Sequence, residues 1–231
     1  MTTLYNTDTN CSPKNEENES AESPFIIRMA AVLLSYVFHP VFIPLFVTFF
    51  LLYIHPSAFT GFSESNKQRT LVIVALNLVF FPLLSVGLLK AVGFIDSLLL
   101  KTRKDRIIPY IACGIFFFWT YTVFKQQTAY PLLLVSYVLG LFLSSSAALL
   151  ANIYYKVSMH AIALGGCLGL FYKIMVDASM LMTLPIAVAL LVTGLVSTSR
   201  LILKSHKPFE IYSGIMIGFL TQMMSAYVIF R

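Results

Sequence analysis

The sequence predicts an all-α protein: a polytopic membrane helical bundle of about seven transmembrane helices. Three observations predict it. Hydrophobic residues make up 58% of the 231 and charged residues only 11%, where a soluble domain carries roughly 25% charged residues. The apolar residues are gathered into several runs of membrane-spanning length. Those runs do not alternate apolar and polar positions, as lipid-facing barrel strands must. Residues 1–24 are set apart: they are rich in Thr, Asn, Ser and Glu and hold one Lys against five acids, the composition of a disordered acidic tail. Residues 25–231 then form a single integral membrane domain.

In order, the spans are expected at residues 29–54, 70–92, 109–124, 130–154, 161–176, 180–202 and 211–230. His39-Pro40 and Pro44 interrupt the first, so a kink or break falls near its middle. The simplest role for His39 is a side chain satisfied by backbone or water beside that kink. The second span carries Asn77 and Pro82. Pro109 is expected to open the third, because proline fits the first helical turn. Ser144, Ser145, Ser146 and Asn152 in the fourth are small polar residues of the kind that join helices in lipid. Gly165, Gly166 and Gly169 in the fifth, and Gly214 and Gly218 in the seventh, permit close helix approach. Lys173 and Asp177 are four apart and can pair. Cys11, Cys113 and Cys167 show neither disulfide nor metal spacing and read as free.

The charge is concentrated where the chemistry can be. Seven spans place the boundaries after spans two, four and six on one membrane side. Those boundaries are Lys101 to Pro109, Lys156 to His160 and Arg200 to Glu210. Histidines and cations gathered at one depth suggest a phosphate-handling site. Arg200 can bind an anion bidentately, with Arg106 and Lys101 adding charge. His206 can attack phosphorus, and Glu210, four residues on, can hold its other ring nitrogen. His160 can protonate the leaving alkoxide and then activate water. Ser158 can donate a hydrogen bond to phosphate. Two histidines and a carboxylate could hold zinc, but the surrounding cations oppose a dication, so neither metal nor cofactor is expected. The plainer alternative is that these are membrane-flanking cations with a helix-start Glu.

These residues resemble the type 2 phosphatidic acid phosphatases, membrane lipid-phosphate phosphatases related to vanadium haloperoxidases. Their third motif is SRxxxxxHxxxD. This chain has Ser199-Arg200, five residues, His206, three residues and Glu210, the same spacing with Glu for Asp. Their second motif is PSGH, of which Val157-Ser158-Met159-His160 keeps the Ser and His. Their first is KxxxxxxRP, and Lys101 to Pro109 keeps its residue types without its spacing. The resemblance covers about residues 101–231. It implies a phosphatase-type core bundle there, with His206 as nucleophile, Glu210 as its partner and His160 as acid. It implies Arg200 and Ser158, with Arg106 and Lys101, as phosphate binders, and a lipid phosphate or diphosphate as substrate. It also implies a bacterial inner membrane. The departures leave open a homologue that binds anionic lipid without turnover.

Eleven Lys and Arg lie on the motif side and five on the other, which by the positive-inside rule puts the motifs in the cytoplasm. Discounting Lys101, Arg106, Arg200, Lys204 and Lys207 as phosphate groups leaves six against five, so orientation stays open. Membrane lipids are the expected surroundings. No exposed basic domain is available for nucleic acid. A small transporter is a further reading, because broken helices of the kind expected at His39–Pro44 occur in transporters. It calls for a polar cavity near the midplane, around His39 and Asn77.

Overall fold

The computed structural model describes residues 24–95, 102–177 and 181–231. The acidic tail up to residue 23, with Cys11, and the candidate phosphate binder Lys101 lie outside the described residues. Within them every regular element is helical. We label these α1 (Phe25–Val37), α2 (Ile43–Ile54), α3 (Glu64–Ala91), α4 (Arg103–Gln126), α5 (Leu132–Tyr154), α6 (Met159–Asp177), α7 (Thr183–Ile202) and α8 (Pro208–Phe230). The six helices α3 to α8 are each long and apolar enough to cross a membrane.

The first expected span is two short helices. Proline 40 has no N–H to give the helix and disfavours helical geometry at His39 before it. The chain therefore turns over residues 38–42, and α2 starts afresh with Pro44 in its first turn. The expectation for Pro109 is corrected. It lies inside α4, because Thr102 starts that helix earlier: its hydroxyl accepts from the Asp105 N–H at 3.2 Å and Asp105 returns the bond to the Thr102 N–H at 3.3 Å. This reciprocal cap fixes the helix start more strongly than a proline signals it. In α3 the turn over Ala75–Phe80 is widened just ahead of Pro82, and the Asn77 amide donates to the Ile73 carbonyl at 2.9 Å.

The centre of the bundle is α6 against α8, with α5 closing their third side. Glycine is needed here for contact. A Cβ on Gly218 would lie 2.0 Å from the Ile162 carbonyl oxygen, and one on Gly165 would lie 2.2 Å from that of Ile215. Backbones so close gain dispersion contact that lipid cannot offer between bulkier helices. Buried polar side chains join α5 to α8: the Ser144 and Thr221 hydroxyls are 2.6 Å apart, and the Gln222 amide donates to the Ser136 hydroxyl at 3.3 Å. Ser145 and Ser146 instead bond the Phe142 carbonyl of their own helix. Lys173 and Asp177 pair as expected. Helix α4 packs on α5, α1 on α7, and α2 against α3 and α6, with the Phe50 and Phe171 rings 4.6 Å apart. Leu184, Val188, Leu191 and Leu195 leave α7 apolar and exposed, the surface that a lipid environment covers.

Candidate functional site: a buried cluster of cations and histidines

The three charged boundaries meet at one end of the bundle, and backbone carbonyls tie them together. Arg103 at the head of α4 donates to the Ile153 and Tyr154 carbonyls at 3.0 Å each, and the Asn152 amide donates to the Arg103 carbonyl at 2.8 Å. Arg106, one turn on, donates to the Val157 carbonyl at 2.8 Å. Ser158 N–H donates to the Glu210 carbonyl at 3.1 Å, and the Lys156 ammonium reaches the Ser205 carbonyl at 3.4 Å. Arg103 and Asn152 thus fix α4 to the end of α5, and Ser158 fixes the start of α6 to the start of α8.

The turn between α7 and α8 presents His206. Helix α7 ends near Ile202, and Lys204 then takes a left-handed backbone, φ 48°, while the Ser205 N–H donates to the Arg200 carbonyl at 3.1 Å. A non-glycine residue costs about 1 kcal/mol in that region. The turn directs His206 inward, where it is 8% exposed. Its Nδ1 lies 2.8 Å from Glu210 Oε2. A carboxylate only accepts, so Nδ1 carries the proton and Nε2 keeps its lone pair. The same Oε2 accepts from the Lys207 N–H at 3.2 Å. Glu210 therefore caps α8 as well as orienting His206.

Arg200 lies on the last turn of α7. Its Nε is buried and makes no hydrogen bond. Arg106 is 3% exposed, and the two guanidiniums are close enough for each charge to act on the other. Both also act on His206. Ser158 is fully buried; its oxygen accepts from the Ala161 N–H at 3.4 Å at the start of α6, which leaves its O–H free to donate. His160 is 9% exposed, with Nε2 3.1 Å from the Ser35 carbonyl at the end of α1. A carbonyl only accepts, so this nitrogen bears a proton and Nδ1 is the one left for chemistry.

The structure thus brings together His206, Glu210, His160, Arg200, Ser158 and Arg106. It also adds Lys156, Ser35 and His39, which the sequence reading left out. His39 approaches His160 ring to ring at 5.5 Å, and the Arg200 charge reaches it. The available signal was a histidine set at a proline break inside an apolar run.

Burial lowers the His206 pKa, and the positive charges of Arg106 and Arg200 lower it further against the opposing pull of Glu210. The imidazole is neutral at pH 7. Lys156 is lowered as well, first by burial and then by the same two guanidiniums, with Glu210 again opposing. Among the described residues no group of three His, Cys, Asp or Glu side chains is placed to hold a metal ion. Positive charge exceeds negative in this cluster, and an anion is what offsets such an excess.

The chain is an integral, multi-pass, all-helical membrane protein, defined by six apolar helices of spanning length. No family model, curated protein or solved structure matches it.

Proposed function

We propose that the protein is a metal-independent membrane phosphatase that hydrolyses a lipid phosphate or diphosphate through a phosphohistidine. One observation carries this reading most: a neutral His206, oriented by Glu210 with Nε2 free, lies within reach of the charge of two guanidiniums, buried Arg106 and half-buried Arg200, the latter with a buried and unbonded Nε. Arg200 and Arg106 neutralise the phosphoryl oxygens, and Ser158 donates to one of them. The His206 Nε2 lone pair attacks phosphorus, and the P–O bond to the leaving group breaks with its electrons on oxygen. His160 takes the proton of the incoming phosphate monoanion on Nδ1 and passes it to that oxygen. Water then attacks the phosphohistidine, gives a proton to His160 and returns His206 free. The apolar surroundings suit a substrate whose chain stays in lipid while its headgroup enters the cluster. A bacterial inner membrane is the setting we propose.

A second reading has its own support. Arg106 is bonded to the Val157 carbonyl, His160 to the Ser35 carbonyl, and Glu210 caps α8, so each has a structural use. A homologue that binds anionic lipid without turnover would keep these bonds. The transporter reading gains nothing comparable: His39 lies beside His160, and Asn77 bonds its own helix.

Phosphate release separates the two. The full chain, purified in detergent with EDTA, is given phosphatidate, phosphatidylglycerophosphate and a polyprenyl diphosphate, with His206→Ala alongside. Release that survives EDTA and is lost in His206→Ala is the expected result. Folded protein that binds these lipids without release establishes the binding homologue.

A further inference from the structure

The break in the first apolar segment places a third histidine in the cluster. Pro40 ends the run of α1, and the chain turns over residues 38–42 before α2 begins. In that turn the Val41 N–H donates to His39 Nδ1 at 3.4 Å, which fixes the His39 ring to its own backbone. The ring then packs against His160 at a centroid distance of 5.5 Å and an interplanar angle of 80°. The α1 end supplies a second hold on His160, the Ser35 carbonyl at Nε2. His160 and Ser35 are 125 residues apart in sequence. Two groups from one local break therefore restrain one imidazole. The carbonyl fixes which nitrogen bears the proton, and the perpendicular ring of His39 packs against the imidazole. A flip would exchange Nδ1 for a carbon and leave no acid at that position.

From this we infer that His39 is a positioning residue of the candidate site: it holds His160 with Nδ1 available as the group that protonates the leaving oxygen. The inference rests on the phosphatase reading for its chemistry. Its geometry stands without that reading. A pure packing role for His39 would support the fold of the turn and nothing else. A positioning role has a signature that packing lacks, because only poor leaving groups need an acid. A phosphatidate alkoxide does, and p-nitrophenolate leaves without one.

The test compares His39→Ala and His39→Phe in the full chain. With phosphatidate, His39→Ala is expected to lower kcat about tenfold with KM little changed, the scale of a misplaced catalytic group. With p-nitrophenyl phosphate the loss in kcat/KM, which reports only the steps up to departure of the leaving group, is expected to be less than about twofold, and His39→Phe, which keeps a ring against His160, recovers most of the phosphatidate rate. Equal losses on both substrates, or none on either, overturn the inference. Nitrogen-15 spectra of histidine-labelled protein in micelles give a readout independent of turnover. Wild type is expected to show His160 as a single Nε2–H tautomer, and His39→Ala a mixture. If wild type releases no phosphate yet the tautomer responds to His39→Ala, the phosphatase reading falls and the positioning stands. His160 signals indifferent to His39 overturn the positioning.

Discussion

The two ends of the bundle both carry lysine, arginine and aromatic residues, yet they are built differently. At the end away from His206, four of the cations are answered locally. Lys67 pairs with Glu64 at 3.7 Å and sits over the Tyr53 ring; Lys125 sits over Tyr121 and Arg231 over Tyr227. Lys173 pairs with Asp177 and lies 4.3 Å from the centre of the Phe230 ring. Every partner is close in sequence or on the adjoining helix end, as for groups that anchor helices at a lipid boundary. At the other end Arg106, Lys156 and Arg200 lie with two carboxylates, Glu210 and the capping Asp105, and Arg106 is buried. A charged membrane boundary becomes a candidate site when its cations turn inward and outnumber their acids.

The sharpest way to break this contrast is to remove the groups that only the His206 end has. His206→Ala is expected to lower phosphate release by at least about a thousandfold, since it removes the group that forms the covalent intermediate. Arg200→Ala is expected to cost about 100-fold to 1,000-fold in kcat, as for loss of one preorganised donor. Arg200→Lys should recover only part of this, because an ammonium cannot bond bidentately. Kinetics on a lipid phosphate in EDTA measure both. Losses no larger than those at the opposite end would erase the distinction.

The pH dependence gives a smaller effect with a defined sign. The folded pKa of His206 is below its unfolded value near 6.5, because burial and two guanidiniums disfavour the cation. In the window between the two values the unfolded chain binds the extra proton. His206 therefore contributes full stability above about pH 6.5, and this is lost as pH falls toward the folded pKa. Thermal midpoints in detergent should drop between pH 7 and 5, and His206→Asn should flatten that drop. Phosphate release should also persist below pH 6.5, because the nucleophile stays neutral there. A midpoint that rises on acidification would contradict the buried, neutral imidazole.

Much of this end was legible in the sequence because its key pair is local. His206 and Glu210 are four apart, and a short turn into a helix is enough to join them. The convergence of three boundaries followed from span parity, and the bonds from Arg103, Arg106 and Ser158 reproduce it. The α4 start could have been read from Thr102 and Asp105, a cap that outranks Pro109. His39 could not be placed this way. Its role depends on how a proline break returns the chain against α6, a tertiary approach that no local spacing encodes. The first segment also shows what an apolar run does not reveal about continuity. A run of sufficient length folds as two short helices once a proline interrupts it.

The smallest expected effect lies at the opposite end and completes the contrast. Lys173 and Asp177 are i, i+4 partners whose side chains are 21% and 43% exposed. A pair so exposed contributes about 0.2 to 1 kcal/mol, because solvent and headgroups screen it. Asp177→Asn should therefore shift stability by no more than about 1 kcal/mol. Lys173 keeps its contact with the Phe230 ring in that variant, so its charge is not left without a neighbour. Phosphate release should be unchanged, since the pair lies at the far end of α6 from His160. Denaturant titration in micelles and the EDTA assay read the two quantities on one protein preparation. A large loss of release with little change in stability would mean that the two ends are coupled through α6. That coupling would make the far pair part of the machinery and remove the basis for treating the ends as separate.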